Sequence, residues 1–124
     1  MKVTTITAAA APAAVGPYCH AKLCGDTMYC SGQLGLIPET GALAEGLEAQ
    51  ARQALDNLGA VLRAAGMDYA NVAKTTVFLA DMGDFGAVNE IYAQYFPDQP
   101  PARSCVQATL PKGGLVEVEA IAVK

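Results

Sequence analysis

The spacing of apolar residues changes along this chain, and each change marks an element. Residues 20–23 and 27–33 carry β-compatible side chains on either side of Gly25-Asp26, the short-range pattern of a type I′ hairpin. Pro38, Thr40 and Gly41 then mark a loop. Leu47, Ala51, Leu55, Leu58 and Leu62 recur at steps of three and four, which lays one apolar stripe along a helix over residues 47–65, with Gly66 placed to end it as the C′ residue. Residues 72–79 contain Thr75, Thr76, Val77 and Phe78, which suit a pleated, partly buried strand. Asp81 is placed to cap a second helix whose Phe85, Val88, Tyr92 and Phe96 share a face, and Pro97, Pro100 and Pro101 break it. Strands over 102–106 and 116–123 close the chain. In the last, Val116, Val118, Ala120 and Ala122 make one apolar face, and Glu117, Glu119, Ile121 and Val123 a mixed one.

This order, hairpin, helix, strand, helix, strand, strand, predicts a mixed α/β sheet with two helices packed on one face. A four-stranded sheet covered in that way leaves its other face bare, and that face is expected to carry residues such as Val77 or Val118. Homo-oligomerisation is the natural way to hide it. With 124 residues, 52% of them hydrophobic, the chain can bury one sizeable core but not two, so residues 1–124 are read as a single domain with no linker or internal repeat.

Charge and cysteine usage narrow the function. The net charge is −4, which gives no general pull toward phosphate backbones or anionic membranes, so nucleic acid and membrane are not expected as partners. The Ala-rich stretch 7–15 has one Lys ahead of it and no run of large apolar residues, so it reads as mature protein. No window approaches the roughly 20 consecutive apolar residues of a membrane span, and a soluble cytoplasmic protein is expected. Cys19, Cys24, Cys30 and Cys105 lack the paired short spacings of metal sites, and His20 is the only histidine, so no metal is expected. A two-residue turn at Gly25-Asp26 sets Cys24 opposite Thr27 and Cys30 opposite Ala21. Cys24 and Cys30 then point to opposite faces and cannot bridge, and reduced thiols are expected.

Several pieces together carry a resemblance: Gly16-Pro17-Tyr18, Ser31-Gly32-Gln33, the run from Ala49 through Leu58, Val88-Asn89-Glu90-Ile91-Tyr92, Pro101-Ala102-Arg103-Ser104-Cys105-Val106 and Val116-Glu117-Val118-Glu119-Ala120. In this order, from Ala8 to Lys124, they resemble the YjgF/RidA family. The resemblance implies a chorismate-mutase-like fold, a homotrimer with its sheets packed inward, and active sites in clefts between subunits. It also implies hydrolysis of reactive enamines and imines, such as 2-aminoacrylate and 2-iminopropanoate, to 2-oxo acids and ammonia. Members also carry labels of endoribonuclease or translation inhibitor, and some are metabolite-binding proteins. A carboxylate-binding member with little turnover is therefore the alternative. One departure is Cys19, where members usually show Ser.

Arg103 follows a proline-rich turn and opens a strand of small and apolar residues. Its fork of N–H donors matches a carboxylate bidentately, and the resemblance makes it the grip on a 2-imino acid. Read from the residue alone, an Arg paired with Asp or Glu across the sheet is the favoured reading, and the resemblance reverses that preference. Glu117 and Glu119 share a face by parity, and the resemblance assigns Glu117 to positioning and activating water; a solvated outer face is the plainer alternative. Cys105 points to the same strand face as Arg103. It has no histidine neighbour in sequence to make it a nucleophile, so packing is its expected role, and the resemblance places it against the ligand. The resemblance makes Tyr18 a lid or hydrogen-bond donor over the substrate. Gly32 either lets the backbone approach a ligand or marks a bulge, and Asn89 resembles the family's site-proximal Asn. Imine hydrolysis needs anchoring, a positioned water and proton transfer, so no cofactor is expected.

Overall fold

The computed structural model describes residues 2–124, with the elements β1 (Val3–Ile6), β2 (Ala21–Cys24), β3 (Thr27–Leu34), α1 (Leu47–Ala64), β4 (Val72–Leu79), α2 (Phe85–Tyr95), β5 (Ala102–Gln107) and β6 (Val116–Val123). The strands form one sheet in the order β1-β2-β3-β6-β4-β5, in which β4 and β5 run parallel and the other neighbours antiparallel. The sheet thus has six strands and not four: all five strands marked in the sequence join it, and β1 adds a sixth. β1 was not expected from the hydrophobic pattern; four residues against the free edge of β2 are too short to show a period.

The hairpin register is the expected one, with Cys24 opposite Thr27 and Ala21 opposite Cys30. The turn differs: Gly25 has φ 62°, but Asp26 is not in the positive-φ region. That is the pattern of a type II′ turn, with glycine at the first central position, and not type I′. All four cysteines are free.

The apolar stripe of α1 packs on the sheet: Ala51, Ala54, Leu55, Leu58, Val61 and Leu62 are all buried. Sequestering a side chain such as Leu58 or Leu62 contributes about 1.5–3 kcal/mol relative to leaving it exposed. The helix ends as its sequence predicts, with Gly66 at φ 74°, its N–H donating to Arg63 and that of Met67 to Leu62 in a Schellman pair. Two buried polar residues of α1 tie down loops. The Asn57 side-chain amide donates to the Leu34 and Leu36 carbonyls at 3.0 and 2.9 Å, and Gln50 accepts from the Leu115 N–H at 2.9 Å. Asp81 does cap, but it caps the single turn Met82–Asp84 that leads into α2, by accepting from the Gly83 N–H. On α2, Val88 and Tyr92 are buried, as is Phe96 just beyond its end, whereas Phe85 is 39% exposed.

The two sheet faces are resolved by register. Val77 pairs with Val118, and both lie almost fully buried beneath the helices. They are therefore not on the bare face. The open face carries Thr76, Phe78, Glu117, Glu119 and Ile121, with Tyr29 and Val123 exposed beside them. Among the described residues, no helix is long and apolar enough to cross a membrane.

Candidate active site

The expected site residues fall into two groups on opposite sides of the sheet. Arg103 is the register partner of Thr75, and Cys105 that of Val77, so both point to the helix side of the edge strand β5. There the Arg103 guanidinium donates through Nη1 to the Asn89 side-chain carbonyl at 2.7 Å. Its central carbon lies 4.8 Å from the Tyr92 ring centroid and 5.4 Å from that of Phe85. Among the described residues the ion pairs are Arg52–Glu48 and Arg63–Asp68, and neither involves Arg103. The cross-sheet ion pair that the residue alone allowed is absent there. Instead, a half-buried cation is held by one amide oxygen and two aromatic rings, with its other N–H donors available for an anion.

The second group lies on the open face. A pocket of about 430 Å³ is lined by Tyr18, Gly32, Glu117, Glu119, Ser31, Val15 and Lys112, among others, and Arg103 is not one of its walls. Of the two readings of Gly32, the structure shows the bulge. β3 carries one residue more than β6 between Cys30 and Gln33, a bulge that spans Ser31-Gly32. A Cβ on Gly32 would sit 2.7 Å from Glu117 Oε2, so the Glu117 side chain lies directly over the glycine. Tyr18 is placed by its surroundings: the Ser31 hydroxyl donates to the Cys19 carbonyl at 2.7 Å, and the ring of buried His20 accepts from the Ala8 N–H and donates to the Pro12 carbonyl. The Tyr18 hydroxyl accepts weakly from the Val15 N–H at 3.4 Å, which leaves its own proton for a ligand.

Sequence reasoning missed the aromatic clamp on Arg103. Phe85 and Tyr92 were read only as members of one shared face of α2, and no local spacing signals that a strand arginine packs on them. Lys112 was also missed. It is the one described non-glycine residue at positive φ (59°), at the rim of the open-face pocket.

The chain is similar to known proteins over nearly its whole length. A goat protein named 2-iminobutanoate/2-iminopropanoate deaminase is 55% identical over 96% of this chain and 88% of its own length. A structure described as a putative endoribonuclease L-PSP from Entamoeba histolytica superposes with a TM-score of 0.96 at 47% identity, covering 99% of this chain and 100% of that one. The Escherichia coli protein TdcF, solved with bound serine, superposes with a TM-score of 0.94 at 40% identity over 98% of both chains. The family model described as endoribonuclease L-PSP matches residues 8–124. The chain belongs to that family, the YjgF/RidA family.

In this YjgF/RidA protein the electrostatics of the two groups differ. Glu117 is half-buried, and its pKa is raised, first by desolvation and then by the nearby Glu119 carboxylate. The fold therefore favours its protonated form. That contribution to stability is complete at low pH and is lost as pH rises through the raised pKa, and the carboxylate form, the one able to accept a proton, appears over the same interval. Glu119→Gln removes one of the two causes, so the acid limb of kcat/KM against pH is expected to move to lower pH. An unmoved limb would mean that another group titrates there. Burial also raises the Cys105 thiol, only partly opposed by Arg103, so it remains a neutral thiol, suited to packing against a ligand and not to nucleophilic attack.

Proposed function

We propose that the protein hydrolyses 2-imino acids of the 2-iminobutanoate and 2-iminopropanoate type, and the enamines that tautomerise to them, in a site completed between two copies of the chain. One observation carries this reading. The anion-binding group (Arg103, Asn89, Cys105) and the base group (Glu117, Gly32, Tyr18) lie on opposite faces of one sheet, so one substrate can meet both only across a subunit boundary. The open face supports the same arrangement. It presents Tyr29, Val106 and Val123 at 51, 43 and 41% exposure with Phe78 and Ile121 between them, a surface that a homotrimer with inward-packed sheets would cover. A reducing cytoplasm suits the four free thiols.

In the reaction, Arg103 holds the substrate carboxylate and the Glu117 carboxylate takes a proton from water as its oxygen adds to the protonated imine carbon. The C=N electrons move to nitrogen. Glu117 then returns that proton to the carbinolamine nitrogen, and as the carbonyl re-forms the C–N bond breaks and the hydroxyl proton leaves with the amine, giving a 2-oxo acid and an ammonium ion with Glu117 again a carboxylate. An enamine first takes a proton at its β-carbon to become the protonated imine.

The test couples the purified protein to a pyridoxal-phosphate-dependent threonine dehydratase and follows 2-oxo acid release, with sedimentation in parallel. Faster release than the spontaneous rate, from a species of trimer mass, is expected. A trimer without acceleration would leave a carboxylate-binding protein, and a monomer at micromolar concentration would remove the composite site.

A further inference from the structure

We propose that Thr75 and Tyr92 are positioning residues for the Arg103 guanidinium: the Tyr92 ring sets the plane of the fork, and the Thr75 hydroxyl sets the ring. The proposal rests on the reading of Arg103 as the carboxylate grip. Thr75 is fully buried on β4, in line with Val72, Val77 and Leu79 on the core side, where a valine would fill nearly the same volume without a polar atom to satisfy. Its hydroxyl lies 2.6 Å from the Tyr92 hydroxyl. Thr75 is also the register partner of Arg103 across the parallel β4–β5 pair. One buried threonine thus sits beside the strand position that carries the cation and against the side chain that the cation packs on.

The geometry has a chemical purpose in a bidentate grip. A guanidinium offers two parallel N–H bonds only in its own plane, so rotation about its long stem spoils the match without moving the charge. The Asn89 contact through Nη1 fixes one point of the fork, and the flanking rings of Tyr92 and Phe85 restrict the plane. Phe85 is exposed and has no polar tether, whereas Tyr92 is buried and anchored at its hydroxyl, so Tyr92 is the fixed wall. Burial raises the Tyr92 pKa, which keeps the ring neutral, so it does not become a phenolate that would compete with substrate for the arginine.

The experiment measures KM for the imine, the inhibition constant of the product 2-oxobutanoate, kcat and Tm in Tyr92→Phe, Thr75→Val, the double variant, Thr75→Ser and Arg103→Lys. In Tyr92→Phe and in Thr75→Val, KM and the inhibition constant are expected to rise together by about three- to tenfold, with kcat falling less. The double variant should resemble either single one, because both remove the same bond. Thr75→Ser should recover most of the loss. A merely structural bond between α2 and β4 would lower Tm and the active fraction, leaving KM and the inhibition constant at parental values. That result, alongside an Arg103→Lys variant that does lose 2-oxobutanoate binding, overturns this proposal alone. Parental 2-oxobutanoate binding in Arg103→Lys removes the carboxylate-grip reading and this proposal with it.

Discussion

Arg103→Lys and Arg103→Ala are both expected to lose most imine hydrolysis while the fold survives. In the structure this guanidinium pairs with no carboxylate among the described residues; its partners are one amide oxygen and two rings, so neither variant strands a buried counter-charge. Lysine retains the positive charge and some attraction to the Tyr92 face, but it lacks the planar fork. It cannot place two parallel hydrogen bonds on a carboxylate while keeping Asn89. Removing a charge-assisted hydrogen bond to substrate costs about 1.5–3 kcal/mol, or roughly one to two decades in kcat/KM, and more when the reacting carbon drifts from its water. Circular dichroism melts and the coupled dehydratase assay, run on both variants, check this. Near-parental activity in a folded Arg103→Lys protein would make charge, and not shape, the requirement.

Glu117→Gln is expected to have the larger effect on kcat, a loss of about two to four decades with KM changed little, because it removes a general base and leaves the grip intact. The substitution is nearly isosteric, which matters here: the side chain lies on Gly32, where even a Cβ would come within 2.7 Å of the carboxylate oxygen. Glutamine keeps that contact and cannot accept the proton from water. The variant should also be somewhat more stable above the raised pKa of Glu117, since it replaces a half-buried charge facing Glu119 with a neutral amide. Single-turnover measurement of 2-oxo acid formation checks the kinetic loss, and thermal melts at neutral pH check the gain. A stabilised but fully active variant would move the base role to Glu119 or elsewhere.

The elements with a strong period were legible in the sequence. The α1 stripe, its Gly66 stop and the hairpin register match the structure because each rests on local geometry. The orientation of the sheet was not legible. β4 and β6 carry apolar side chains on both faces, so alternation alone could not say that Val77 and Val118 face the helices, leaving Phe78 and Ile121 outside. Thr75 blurred the pattern further, a polar residue on the inner face made tolerable by the Tyr92 hydroxyl. The site shows the same split. Parity correctly put Arg103 with Cys105 and Glu117 with Glu119. That the two pairs lie on opposite faces depends on the registers of β5 and β6 against β4, which no local pattern encodes. The separation is what makes a second copy of the chain necessary to the proposed chemistry.

Subunit mixing tests that necessity most directly. Arg103→Ala and Glu117→Gln chains, each inactive as a homo-oligomer, are co-expressed with different tags, and the mixed assembly is purified and assayed. If each site takes Arg103 from one subunit and Glu117 from its neighbour, every mixed trimer, with two chains of one kind and one of the other, has both native residues at one of its sites, so the purified mixed assembly regains about a third of parental activity. Mixed assemblies that form and remain as inactive as either parent would contradict a site shared between subunits.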